Sequence, residues 1–123
     1  MKGTLWLEVP ESAVFRHLAQ FRLLCSALKP YNCRIGLEHV GNHLKRIGQL
    51  HDLGIDFIKI DASLIREIDQ QTGNQALVRG LCTIAHTIGL QVIAEGVKTN
   101  AEKEYLPQLG LDGMTGPAVR LYL

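Results

Sequence analysis

With 123 residues, 13 lysines and arginines against 12 aspartates and glutamates, and a formal net charge of +1, the chain has no electrostatic bias toward a nucleic-acid polymer or an anionic membrane surface. Hydrophobic residues make up 46%, enough for a core, but no apolar run is long enough to span a bilayer and no basic-then-apolar signal opens the chain, so direct membrane insertion is excluded and a cytoplasmic location is expected. Cys25, Cys33 and Cys82 are widely spaced and odd in number, which fits reduced thiols better than a disulfide framework or a zinc site.

The first element is a strand, Leu5-Trp6-Leu7-Glu8-Val9, in which Trp6 and Glu8 share a face because side chains two apart point the same way. From Ser12 to Leu28 the residues Phe15, Leu18, Phe21, Cys25 and Leu28 recur at helical spacing, and Pro30 stops the chain soon after. A second strand, Arg34-Ile35-Gly36-Leu37-Glu38, places Arg34 and Glu38 on one face. If that strand simply continues, His39 points the other way and reads as a loop residue. A shorter helix from about residue 42 to 53 turns Leu44, Ile47 and Leu50 inward and closes at Gly54. The third strand, Phe57 to Asp61, sets Lys59 and Asp61 on the face of Phe57. Between Gly73 and Gly89 a helical stripe of Leu77, Leu81, Ile84, Ala85 and Ile88 follows, and Gly89 suits a left-handed cap. In the fourth strand, Gln91 to Glu95, Ile93 and Glu95 share a face. The last helix opens with Thr99 and Glu102 at capping-box spacing and closes at Gly110, before a short strand near residues 111–115.

Four β-α units and a final β argue for a parallel sheet with right-handed crossovers. Parallel α/β sheets collect ligands outside the carboxyl ends of their strands, and there Glu8, Glu38, Lys59, Asp61 and Glu95 converge. Four acids and a lysine suit a divalent metal and a phosphate. The plainer alternative for Lys59 and Asp61 is an ion pair inside the sheet. His17, His43, His51 and His86 stand at no ligand spacing and read as structural or surface residues.

Several of these segments, in order and at matching spacing, resemble the EAL domain family of bacterial cyclic di-GMP phosphodiesterases and receptors. Leu7-Glu8-Val9-Pro10-Glu11-Ser12 is similar to the family's L-E-I-T-E-S, Phe57-Ile58-Lys59-Ile60-Asp61 to its L-K-I-D strand, Ala85-His86-Thr87-Ile88-Gly89-Leu90 to A-H-x-L-G-L, and Ala94-Glu95-Gly96-Val97-Lys98 to A-E-G-V-E. The resemblance implies a TIM-like (β/α) barrel. It implies metal ligands at Glu8, Glu38, Asp61 and Glu95, with magnesium or manganese as the ion if the domain is active, catalytic positions at Lys59 and Glu95, and contacts to cyclic di-GMP from Lys59, Asp61, Lys98 and Thr115.

The departures from that pattern change the functional expectation. The family's two consecutive aspartates fall on Glu38-His39, its second E-G-V-E glutamate is Lys98, and its late Gln-Gly is Thr115-Gly116. The likeness begins at the family's middle, so the E-A-L tripeptide, its following arginine and a metal-binding asparagine have no counterpart in these residues. A whole eight-stranded barrel takes roughly 250 residues, and the chain is therefore expected to be one incomplete barrel over residues 1–123: about five parallel strands with helices on the outer face. Two open edges call for a homodimer or a longer parent chain. The expected function is a degenerate, catalytically inactive receptor for cyclic di-GMP without a resident cofactor. The alternatives are a metal-dependent cyclic di-GMP phosphodiesterase completed by a missing half, and a protein-interaction module that binds no nucleotide.

Overall fold

A computed structural model describes residues 5–119. Its five strands, β1 (Leu5–Pro10), β2 (Cys33–Val40), β3 (Phe57–Ile60), β4 (Gln91–Ala94) and β5 (Gly113–Met114), form one sheet in sequential order. Every neighbouring pair is parallel, so all carboxyl ends lie at one rim, as the alternation of strands and helices requires. Among the described residues β1 pairs only with β2 and β5 only with β4, which makes these two the edges.

The helices are α1 (Glu11–Arg16), α2 (Leu18–Leu28), α3 (Ala62–Ile65), α4 (Thr72–Thr87) and α5 (Asn100–Tyr105), with 3-10 turns at Leu44–Leu50 and Leu106–Leu109. The core fills the space between them and one face of the sheet: Leu37, Ile58, Ile60, Val92 and Ala94 from the strands meet Phe15, Phe21, Ile47, Leu81, Ala85 and Leu106. Burying a side chain of this size is worth about 1.5–3 kcal/mol, so this layer holds the strands in place. The opposite face carries a second packing. Phe57 lies fully buried against Gly36, where an added Cβ would fall 2.2 Å from the ring, and against Trp6 at 5.3 Å between centroids. Arg34 stacks on Trp6 at 4.8 Å and donates from Nη2 to Gln91 Oε1 at 2.7 Å.

Three expectations from periodicity are corrected. The helix expected from Ser12 to Leu28 is two, broken at His17 (φ −129°, ψ 49°). There the carbonyl of Phe15 accepts from Arg46 Nη1 at 3.1 Å, and the guanidinium also stacks on the Phe15 ring. The segment expected to be a helix from about residue 42 to 53 is a 3-10 helix at Leu44–Leu50, with Ile47 and Leu50 buried. On α4 the buried stripe is Val78, Leu81, Cys82 and Ala85, which rotates Leu77 and Ile84 off the core to the surface. The expected left-handed glycines at positions 54, 89 and 110 all have positive φ, and the capping box of Thr99 and Glu102 forms with both of its bonds.

Candidate functional site

The carboxyl-end rim is shaped first by a fault in the sheet. Leu37 pairs with Ile58 and Val40 with Ile60, so Glu38 and His39 together stand opposite Lys59 alone. This is a β-bulge, and His39 takes it up with φ 56°. The extra residue breaks the alternation, so His39 does not point away from Glu38 as a continuing strand would require. Instead, ligand atoms of Glu38, His39 and Glu95 all lie within 4.8 Å of one another. Periodicity missed His39 because a period-two pattern has no place for an unpaired residue; two consecutive functional positions on one strand were the available signal for a bulge.

His39 sits among carboxylates. Its Nδ1 donates to Asp61 Oδ1 at 3.0 Å and lies 3.2 Å from Glu95 Oε2. The Asp61 bond, and then the Glu95 charge, raise the imidazole above its ordinary 6.5. Asp61 itself caps α3: its Oδ2 accepts from Ser63 Oγ at 2.5 Å and from Ser63 N at 3.0 Å. That hydroxyl, more than any other neighbour, holds the Asp61 carboxyl below its usual range.

Glu95 follows β4 directly, with its amide donating to Ile60 O at 3.0 Å. Its side chain is 15% exposed, and although His39 is close, Oε2 is buried and accepts no hydrogen bond of good geometry among the described residues. Burial raises this carboxyl above its ordinary value. Next to it, Glu8 and Lys59 form an ion pair. They belong to β1 and β3, which are not neighbours, and meet across β2. Lys59 is thus paired with Glu8 and not, as the plainer sequence reading has it, with Asp61.

Two buried glutamates hold the loops that carry this rim. Glu11, 1% exposed, accepts from Gly41 N at 3.3 Å, Asn42 N at 2.9 Å and His43 Nδ1 at 3.2 Å, fixing the turn after the bulge. Glu102, also 1% exposed, accepts from Lys98 N at 2.8 Å, Glu67 N at 2.9 Å, Thr99 N at 3.3 Å and, on both oxygens, Arg66 Nη1 at 3.1 Å. Arg66 Nη2 reaches on to Gly96 O at 3.2 Å. Gly96, at φ 67°, is pressed so close to Ala62 that a Cβ would stand 2.6 Å from the alanine's. In this way the residue after Glu95 and the residue after Asp61 are locked together. Sequence spacing marks Glu102 only as a cap and gives Glu11 no structural role, because donors to both come from distant segments.

Of the remaining expected positions, Thr115 is exposed and bonded through its backbone to Ala94 and Val97. Lys98 is exposed, and its ammonium forms no ion pair among the described residues. The structure therefore brings together Glu38, Asp61 and Glu95 around His39, sets Glu8 and Lys59 beside them as a pair, and leaves the Lys98 and Thr115 side chains outside those contacts.

The EAL domain family model matches residues 2–120 of this sequence. The chain belongs to the EAL domain family. Among relatives, it is 29% identical over 112 residues to the bifunctional diguanylate cyclase/cyclic di-GMP phosphodiesterase MucR of Pseudomonas aeruginosa, covering 91% of this chain and 16% of that protein. Among solved structures, the Xanthomonas citri FimX EAL domain in complex with cyclic di-GMP superposes with a TM-score of 0.84 at 28% identity, over 91% of this chain and 44% of that one. A manganese/cyclic di-GMP complex of Klebsiella pneumoniae BlrP1 gives a TM-score of 0.81 at 30% identity, over 90% of this chain and 28% of that one. The chain thus spans less than half the length of each of these proteins. Its open five-stranded parallel sheet is a TIM-barrel-like EAL architecture, and no helix among the described residues is long and apolar enough to cross a membrane.

Metal ions accompany this family, and the rim has donors to test against one. Glu95 Oε2 is a buried acceptor without a hydrogen bond, and it faces Glu38 and an imidazole. An uncompensated buried carboxylate oxygen is costly, and a cation is the group that would satisfy it. The donor set of Glu38, His39 and Glu95 fits one divalent ion.

Proposed function

We propose that this EAL domain is a cyclic di-GMP receptor module that does not hydrolyse the nucleotide. One observation carries the reading: the imidazole of His39 lies between Asp61 and Glu95, 3.0 and 3.2 Å from their oxygens. Where the family pattern has consecutive aspartates, a nitrogen donor and a proton occupy the space between carboxylates, and the oxygen cage for a pair of hard ions is lost. A bound divalent ion would supply charge neutralisation of a phosphate and acidification of a water. The exposed Lys98 supplies positive charge toward a phosphodiester, Lys59 would do so on leaving its pair with Glu8, and positioning of a ligand is separable from chemistry upon it.

The relatives' likeness supports the ligand class, since FimX and BlrP1 were solved with cyclic di-GMP. The exposed edges β1 and β5, with Trp6 57% exposed beside the first of them, support association with a second copy or with further barrel strands. Domain closure of that kind would complete the nucleotide pocket.

The test is calorimetric titration with cyclic di-GMP, with chromatography for the linear dinucleotide in excess magnesium or manganese. Binding heat without product is the expected outcome. Product formation that is lost in Glu95→Ala would establish a phosphodiesterase instead, and absence of both heat and product would favour a protein-interaction module.

A further inference from the structure

The rim's donor set differs from what its manganese- and calcium-bound neighbours would suggest. We propose that Glu38, His39 and Glu95 form a site for a single borderline transition-metal dication, zinc or its cobalt surrogate, in preference to magnesium or calcium. This deepens the reading of the rim as the ligand end of the domain and rests on it.

The first support is donor chemistry. Magnesium and calcium are held by oxygen, whereas imidazole nitrogen favours zinc, cobalt and nickel. Three protein donors with a position left open is the usual complement of a non-structural zinc site. Here the three donors come from a bulge in β2 and the end of β4, and their ligand atoms already stand within 4.8 Å of one another.

The second support is the unsatisfied oxygen. Glu95 Oε2 is buried and accepts no hydrogen bond of good geometry. Elsewhere in the chain buried carboxylates are richly bonded, as Glu11 and Glu102 are, so this one is unfinished by the fold's own standard. Lys59, the ammonium on this face, is already paired with Glu8.

The experiment uses the metal alone, without nucleotide. Chelator-treated protein is titrated with cobalt, zinc, magnesium and calcium by calorimetry, and the cobalt complex is followed by its visible absorption and by paramagnetically shifted imidazole proton resonances. One cobalt or zinc per chain, bound at least about tenfold more tightly than magnesium, is expected. In His39→Asp, cobalt affinity should fall at least about tenfold with the shifted imidazole signal gone, while magnesium binding holds or improves. Aspartate tolerates the left-handed backbone of this position, so the bulge survives, and circular dichroism checks the fold. His51→Ala is the control: His51 lies exposed 3.3 Å from Asp52, and its removal should leave cobalt binding unchanged. Magnesium bound as tightly as cobalt, cobalt binding indifferent to His39→Asp, or no metal bound at all would each overturn the proposal. A chain that takes cobalt but gives no heat with cyclic di-GMP keeps the metal site and loses the receptor reading.

Discussion

Glu95 and Glu102 are seven positions apart, both largely buried, and opposite in condition. Burial alone would raise the Glu102 carboxyl, but the amides of Lys98, Glu67 and Thr99 and the Arg66 guanidinium outweigh it and hold the group below its ordinary value. Burial raises Glu95, and nothing sufficient opposes it. The difference separates two uses of one side chain. Glu102 accepts from four residues in two segments, Arg66 with Glu67 and Lys98 with Thr99, and serves the fold, whereas Glu95 keeps a buried oxygen without a hydrogen bond among the described residues.

Isosteric neutralisation is the sharpest way to break this comparison. Glu102→Gln would turn an amide toward backbone N–H groups and strip Arg66 of its counter-charge, at a cost of about 2–3 kcal/mol. Glu95→Gln removes a charge that the neighbouring His39 and Lys59 offset less than burial opposes it, and should lie within about 1 kcal/mol of the parent. Urea unfolding of the two variants decides it; equal losses would mean that Glu95 is structural as well.

The connection between the two glutamates runs through Gly96. Gly96→Ala meets both a positive φ and the Ala62 side chain, and should cost about 2 kcal/mol. If the Arg66–Glu102 clasp sets the position of Glu95, the same variant should also weaken cobalt binding at 25 °C under conditions where circular dichroism shows it folded. Loss of stability with unchanged cobalt affinity would confine the clasp to a packing role.

The smallest expected effect is in pH dependence. His39 and Glu95 both have folded-state values raised above the ordinary ones. The fold therefore binds more protons than the unfolded chain, and their stabilisation is complete below the ordinary values and lost as pH rises through the raised ones. Asp61 and Glu102 are lowered and act oppositely, losing their stabilisation as pH falls below the ordinary carboxylate range. The urea midpoint of metal-free protein should thus decline gently above the ordinary histidine value of 6.5, and His39→Asn should flatten that decline. A midpoint rising with pH in that window would contradict the His39 contacts.

Much of this arrangement was legible from the chain. Alternation along short apolar strands placed Glu8, Lys59 and Glu95 on one face and Asp61 at the end of the third strand, because sheet geometry is local and strictly periodic. Three things escaped. The bulge at Glu38-His39 depends on how β2 meets β3, a pairing that neither strand reveals alone. The break at His17 is accompanied by the bond of Arg46 to the Phe15 carbonyl, made across 31 positions. The exposure of Leu77 and Ile84 depends on which of two adjacent apolar stripes on α4 the core accepts, and their residue types do not distinguish them.

The bulge bears on how such a site drifts. Because the ladder between β2 and β3 resumes at Val40 with Ile60, positions 38 and 39 are relieved of one-to-one pairing with β3, while Glu38 keeps its place opposite Pro10 of β1. Exchange of acid for imidazole there alters the ion a domain selects without asking the sheet to refold.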